Sequence, residues 1–274
     1  MKLMYITNNP QVASIAESVG VDRIFVDMEY IGKDLRQGGM DTVQNHHTVE
    51  DIKNIRKVLK KSELLVRINP IHDGSSSYSS TEDEIEEVIA AGANIIMLPY
   101  FNSKNEAERF LKAVNGRCKT VLLFETPEAV ENIDEILDLP LIDEVYIGLN
   151  DLSLGYGYKF MFKPLADGTV ESMANKFKNR GLKFGFGGIA SIGSGMLKSE
   201  KILAEHIRMG SSCVILSRSF CNIKDTSDTD SIHKIFLEGV KNIRELESFY
   251  SSQTEEFFKE NFNEIKTIVD TICG

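Results

Sequence analysis

No apolar run in this 274-residue chain approaches the about eighteen residues that a membrane-spanning helix needs, so no membrane partner is expected. The opening MKLMYITNNPQ has no long apolar core followed by a small-residue cleavage site, so no signal peptide is expected and the cytoplasm is the expected location. Cysteine is sparse. Cys118, Cys213, Cys221 and Cys273 are scattered and form no CxxC pair, which fits reduced thiols in a cytosolic protein. Positive charge is in deficit as well: 31 Lys and Arg stand against 41 Asp and Glu, a net charge of −10. With no basic stripe to offset that balance, no nucleic-acid partner is expected. No GxGxxG motif follows the first apolar run, which weighs against an open dinucleotide-binding sheet.

What is present is ordinary globular composition, 42% hydrophobic and 26% charged, with one recurring pattern. A short apolar run is followed by a turn and then by a segment of helical period. The runs are LMYI (3–6), RIFVDM (23–28), ELLVRI (63–68), NIIMLP (94–99), TVLLFE (120–125), EVYIGL (144–149), LKFGFG (182–187) and CVILS (213–217). They are continuous rather than alternating, as strands buried on both faces of a parallel sheet should be. Between them, NPQVASIAESVG (9–20) places Val12, Ile15, Ala16 and Val19 on one helical face. TVEDIKNIRKVLKK (48–61) begins with Thr48 as N-cap and Asp51 three residues on. STEDEIEEVIAAG (80–92) stops at Gly92, and TPEAVENIDEIL (126–137) carries Pro127 in its first turn. Eight runs joined by helices predict an α/β fold, a (β/α)8 TIM barrel with extra C-terminal helices. A doubly wound open sheet is the alternative. The expected division is a barrel over 1–222 and a helical extension over 223–274, beyond the polar break DTSDTD. The extension's apolar faces must be covered by its own barrel or by a neighbouring subunit.

A barrel of this kind carries its active site at the C-terminal ends of the strands. The residues expected there are Asp27 and Glu29, Arg67 and Asn69, Pro99 and Tyr100, Glu125, Asn150 and Asp151, Gly187 and Gly188, and finally Ser217, Arg218 and Ser219. Two carboxylates on successive strands, Glu125 and Asp151, repel unless one takes a proton or a cation lies between them. An all-oxygen pair suits Mg²⁺ or Mn²⁺; alternatively each acid caps the helix that follows. Arg67 can grip a carboxylate through two parallel hydrogen bonds, or form a salt bridge to a neighbouring acid. The glycines of FGFGGIASIGSG either cradle a phosphate or serve tight packing at the rim. His46, His47 and His72 fall in loops at the expected active face. His206 and His233 are expected to be packing or surface residues.

FETPEAVENIDEIL followed by DEVYIGLNDLSLGYG resembles the HpcH/HpaI aldolase and citrate lyase β-subunit family, among the phosphoenolpyruvate/pyruvate-binding barrels. GVDRIFVDMEY, LLVRINP, AAGANIIMLPYF and GFGGIA resemble its other strands in order, from about residue 10 to 220. The resemblance implies a metal-dependent (class II) aldolase or carbon–carbon lyase. Glu125 and Asp151 match the family's metal-binding acids. Arg67 matches the arginine that holds pyruvate and steadies its enolate, with Asn150, Gly187 and Gly188 beside the substrate. Implied partners are a 2-oxo acid and an aldehyde, and a homo-oligomer, trimer or hexamer, often with an exchanged C-terminal helix. There are departures. Tyr30 stands where the aldolases carry their catalytic histidine, Ala90-Ala91-Gly92 lacks their Asp, and the stretch between the fourth and fifth strands is shorter and lacks their Gly/Arg-rich loop. His46 or His47 is the expected replacement for the acid/base group. The alternatives are a citrate-lyase-like acyl-CoA thioester lyase and a non-catalytic barrel that binds a small acid.

Overall fold

The computed structural model describes residues 1–33, 45–221 and 228–274. Its strands are β1 (Lys2–Ile6), β2 (Arg23–Asp27), β3 (Glu63–Arg67), β4 (Ile95–Leu98), β5 (Lys119–Phe124), β6 (Glu144–Ile147), β7 (Lys183–Ile189) and β8 (Cys213–Leu216). Each runs parallel to the next, and β1 pairs with β8, so the eight strands close into the expected barrel. The continuity of the apolar runs now has its reason. Ile24, Val26, Leu64, Val66, Ile96, Leu98, Leu122 and Phe124 face the surrounding helices. Their neighbours Phe25, Leu65, Ile95, Met97, Val121 and Leu123 fill the barrel interior. Along these middle positions both faces of the strands are dry, which is why the runs read as continuous and apolar.

Over the described residues the helices are α1 (Pro10–Ser18), α2 (Val49–Val58), α3 (Thr81–Ala90), α4 (Lys104–Val114), α5 (Pro127–Glu131), α6 (Ile133–Leu137), α7 (Leu149–Gly155), α8 (Lys163–Ala166), α9 (Thr169–Asn179), α10 (Ser199–Met209), α11 (Thr229–Tyr250) and α12 (Glu255–Cys273). Thr48 and Asp51 form the capping box that starts α2. Two local outcomes differ from the sequence expectation. The helix expected over 126–137 is two short helices that meet at Asn132 (φ −92°, ψ 13°), a residue type that resists a helix interior. The sixth strand stops at Ile147, because Gly148 and Leu149 already turn into α7. Asp151 is therefore carried on the first turn of a helix rather than on a strand.

The N-terminal end of the barrel is closed by charge. Arg23 crosses the interior to Glu144 with Nη1···Oε2 at 2.7 Å and Nη2···Oε1 at 2.6 Å, and its Nε reaches Glu63 at 2.9 Å. Lys2 and Lys119 also pair with Glu63, at 2.6 and 2.5 Å. All five are first residues of their strands, so parallel pairing alone brings them to one level. The C-terminal helices dock on this chain's own barrel. α11 lies against α1 and α10, burying Ile232, Phe236, Val240 and Ile243, and α12 lies against α10 and α8. Arg244 fastens α11 to the barrel through Met1 O (2.7 Å) and Asp22 (3.0 Å). No helix among the described residues is long and apolar enough to cross a membrane.

Candidate active site

At the other end of the barrel a cavity of about 520 Å³ opens between the strand ends. Its floor is apolar, with Phe25, Met97, Leu123 and Tyr146, and its wall is polar. Glu125, Asn150, Asp151, Arg67, Gly187 and Gly188 all line it, so six expected site residues from four strand ends share one space.

Glu125 follows β5 directly and is buried. Its Oε1 accepts the Tyr100 N–H at 3.0 Å. Tyr100 adopts φ +47°, an uncommon left-handed conformation for a side-chain-bearing residue, at the turn that ends β4. The carboxylate is pressed from the other side by Gly148, where an added Cβ would lie 2.4 Å from Oε2. The turn between β6 and α7 can pass this close only because position 148 lacks a side chain. One turn on, Asp151 is also buried and faces the same cavity. Two buried carboxylates with all-oxygen donors suit a hard cation. Among the described residues no three His, Cys, Asp or Glu gather into a cluster, so the remaining ligands would be water or substrate oxygens, as is usual for Mg²⁺.

Arg67, the last residue of β3, binds Asp27 of β2 in a two-pronged pair, Nε···Oδ1 and Nη2···Oδ2 both at 2.8 Å. Glu29 lies 3.3 Å from its Nε. The register that sets Asp27 opposite Arg67 makes the pair unavoidable. Arg67 is therefore salt-bridged, and it also lines the cavity. Burial alone would raise the Asp27 carboxyl, but the charge and hydrogen bonds of Arg67, with help from Lys33 and Asn45, hold it well below the usual carboxylate range. The same ion pair outweighs burial at Arg67 and holds its guanidinium firmly protonated.

The expected acid/base candidates lie elsewhere. His47 is half-buried, and its Nδ1 accepts the Asp27 N–H at 3.0 Å, so that lone pair is already in use. Burial lowers its pKa, partly countered by Asp27 and Asp51. His46 is exposed. Tyr30 gives its hydroxyl proton to Ser75 Oγ (3.2 Å), and its N–H goes to Asn69 Oδ1 (3.0 Å). Neither histidine nor Tyr30 is part of the cavity wall. His72 is buried in a separate network, with Nε2 3.1 Å from Glu84 Oε2, while Glu84 Oε1 accepts the Asn69 amide at 2.9 Å. The glycine-rich turn after β7 divides. Gly187 (φ +53°) and Gly188 line the cavity, whereas the Gly193 N–H is taken by Glu200 at 2.9 Å.

Two wall residues were not foreseen, Lys33 and Asn45. Asn45 Nδ2 donates to Asp27 Oδ2 at 3.0 Å. Lys33 Nζ sits 3.2 Å from Asp27 Oδ2 and 3.1 Å from Glu29 Oε2, with only 5% of its side chain exposed. The one hint in the sequence was the Glu29–Lys33 spacing of four, which is common on exposed helices and says nothing of burial.

A model of the HpcH/HpaI aldolase/citrate lyase family matches residues 2–163. A 2-keto-3-deoxy-L-rhamnonate aldolase of Escherichia coli O17:K52:H18 is 22% identical over 210 residues, 65% of this chain and 71% of that one. In fold, the chain is similar to an HpcH/HpaI aldolase of Desulfitobacterium hafniense DCB-2, with a TM-score of 0.59 and 18% identity over 89% of this chain and 93% of that one. It is similar also to an HpcH/HpaI aldolase/citrate lyase family protein of Burkholderia cenocepacia J2315, with a TM-score of 0.61 and 14% identity over 85% and 94% of the two chains.

Proposed function

Because this chain belongs to the HpcH/HpaI aldolase/citrate lyase family, we propose that it is a divalent-metal-dependent carbon–carbon lyase that cleaves or forms a 4-hydroxy-2-oxo acid through a pyruvate-type enolate. The observation that carries this reading is the meeting of Glu125, Asp151 and Arg67 in the wall of one cavity. Clustered carboxylates beside a fixed cation are costly in an idle pocket, and they suit a 2-oxo acid. A relative named for an aldolase of a 2-keto-3-deoxy acid falls in the same reaction class.

Glu125 and Asp151 would hold Mg²⁺ or Mn²⁺. The fit rests on their burial, their oxygen-only donors, and the close passage of Gly148 that keeps the Glu125 carboxylate in place. When bound, the cation supplies Lewis-acid polarisation of the oxo acid. Arg67, held flat by Asp27, offers its remaining N–H groups to the substrate carboxylate and to the oxygen that gains negative charge on enolisation. The apolar floor of Phe25, Met97 and Leu123 excludes water beneath the reacting carbon and strengthens those charge interactions.

Exchange of the pyruvate methyl protons in D₂O, followed by NMR, tests enolisation with no need to know the aldehyde. The expected result is exchange with Mg²⁺ or Mn²⁺ that chelator abolishes and that Glu125→Gln reduces by about a hundredfold or more. Exchange indifferent to both chelator and substitution would overturn the proposal.

A further inference from the structure

Joining a 2-oxo acid to an aldehyde moves two protons. One leaves C3, and one arrives on the oxygen that was the aldehyde carbonyl. The second transfer needs a donor in the cavity wall that can part with a proton. The described residues offer few. The Tyr5 hydroxyl is committed to Cys221 O at 3.0 Å. The Tyr146 hydroxyl donates to Gly187 O at 2.7 Å and accepts the Ile215 N–H at 3.0 Å. Asn45, Asn150 and Ser217 are not acids, and the guanidinium groups of Arg67 and Arg218 do not release protons in proteins. Asp27, locked to Arg67, stays ionised. No histidine is among the described residues of the wall.

Lys33 remains. An ammonium yields a proton far more readily than a guanidinium. A lysine is seldom this buried, and here it is held between two carboxylates, Asp27 and Glu29, with Arg67 completing a set of two acids and two cations. We propose that Lys33 is the proton donor to the aldehyde oxygen in bond formation and, as its amine, the base that takes the hydroxyl proton in cleavage. The proposal rests on the enolate reading above. In bond formation the enolate carbon bonds to the aldehyde carbon. The carbonyl π pair moves onto oxygen, and that oxygen takes one Nζ proton. The resulting amine is reprotonated from water, which has received the proton lost from C3. Asp27 and Glu29 orient the ammonium for this transfer.

The test compares wild type, Lys33→Arg and Lys33→Met in two assays with the metal present. One is pyruvate methyl exchange, which needs no transfer to oxygen. The other is cleavage of 4-hydroxy-2-oxopentanoate and homologous 4-hydroxy-2-oxo acids to pyruvate and an aldehyde. The arginine variant keeps the charge beside Asp27 and Glu29 and guards against simple misfolding. The expected result is a fall in cleavage of about 10²–10⁴-fold in both variants, with exchange falling by less than about tenfold. Cleavage by either variant within about tenfold of wild type would overturn the proposal, as would exchange and cleavage falling in parallel. A wild-type protein that exchanges pyruvate but cleaves no member of the acid series would also overturn it. A wild-type protein that shows no exchange would remove the enolate reading itself, and this assignment with it.

Discussion

Gly148→Ala probes the site through a single methyl group. An alanine Cβ there would lie 2.4 Å from Glu125 Oε2, 2.8 Å from its Cβ and 3.2 Å from its Cδ. Ordinary contact begins near 3.4 Å, so the carboxylate must move by roughly 1 Å if the turn holds its place. Backbone strain does not complicate the result, because Gly148 has φ −86° and ψ 92°, which alanine adopts freely. The Gly148 N–H bonds to Phe124 O at 3.0 Å and ties the turn to β5, and because Glu125 Cβ moves only with its backbone, the end of β5 must shift along with the carboxylate. Overpacking of this size costs about 1–3 kcal/mol of stability. A reactive group misplaced by about 1 Å costs roughly a hundredfold in rate, or about 2.7 kcal/mol of barrier. The expected variant is folded by circular dichroism with a modestly lower melting temperature. It binds Mn²⁺ at least tenfold more weakly by electron paramagnetic resonance titration, and its pyruvate exchange is down about a hundredfold. A variant that binds Mn²⁺ and exchanges pyruvate within a factor of about two of wild type would refute the reasoning, because Glu125 would then not depend on its seat.

Two further outcomes concern stability. Arg23→Met leaves Glu144 buried beneath the barrel without its partner, and urea unfolding should show a loss of about 3–5 kcal/mol. Adding Glu144→Gln should recover part of it, and a single variant as stable as wild type would show that the plug is ornamental. His206 is fully buried, stacked on Phe186 at 3.7 Å, and burial pushes its pKa down to about 3. Its folded pKa lies below the unfolded value of about 6.5, so its contribution is complete above that pH and is lost as the pH falls. Over that window this one group should remove about 1.4 kcal/mol per pH unit. His206→Phe should flatten the dependence of unfolding free energy on pH between about 6.5 and 4; an unchanged slope would mean that the imidazole protonates within the fold.

Much of the site could be read directly from the chain. Glu125, Asp151 and Arg67 were found because strand ends are readable wherever an apolar run stops, and a parallel barrel delivers every such end to one mouth. The expected acid/base candidates, His46 and His47, do not line the cavity, and the sequence could not show this for a different reason. A histidine in a loop can be counted in a sequence, but its free lone pairs cannot. His47 spends one on a backbone amide 20 residues away, and His72 meets a glutamate 12 residues on. The sixth strand was read two residues too long, because an apolar Leu149 belongs equally well to a strand end or to a first helical turn.

The sequence by itself determined the barrel. Alternation between a helix-facing layer and an interior layer makes the middle of each strand apolar, and short-range caps and turns set where the helices begin. It also determined that two acids and an arginine would meet. Only the tertiary structure decided which charges are already paired. Arg67 is committed to an aspartate 40 residues earlier, and Lys33, a residue type that composition assigns to the surface, is drawn inside by Asp27 and Glu29. The physical reason is that burial and hydrogen-bond occupancy belong to neighbourhoods made by the closed sheet. A linear pattern records which groups a chain possesses but not which of them remain available.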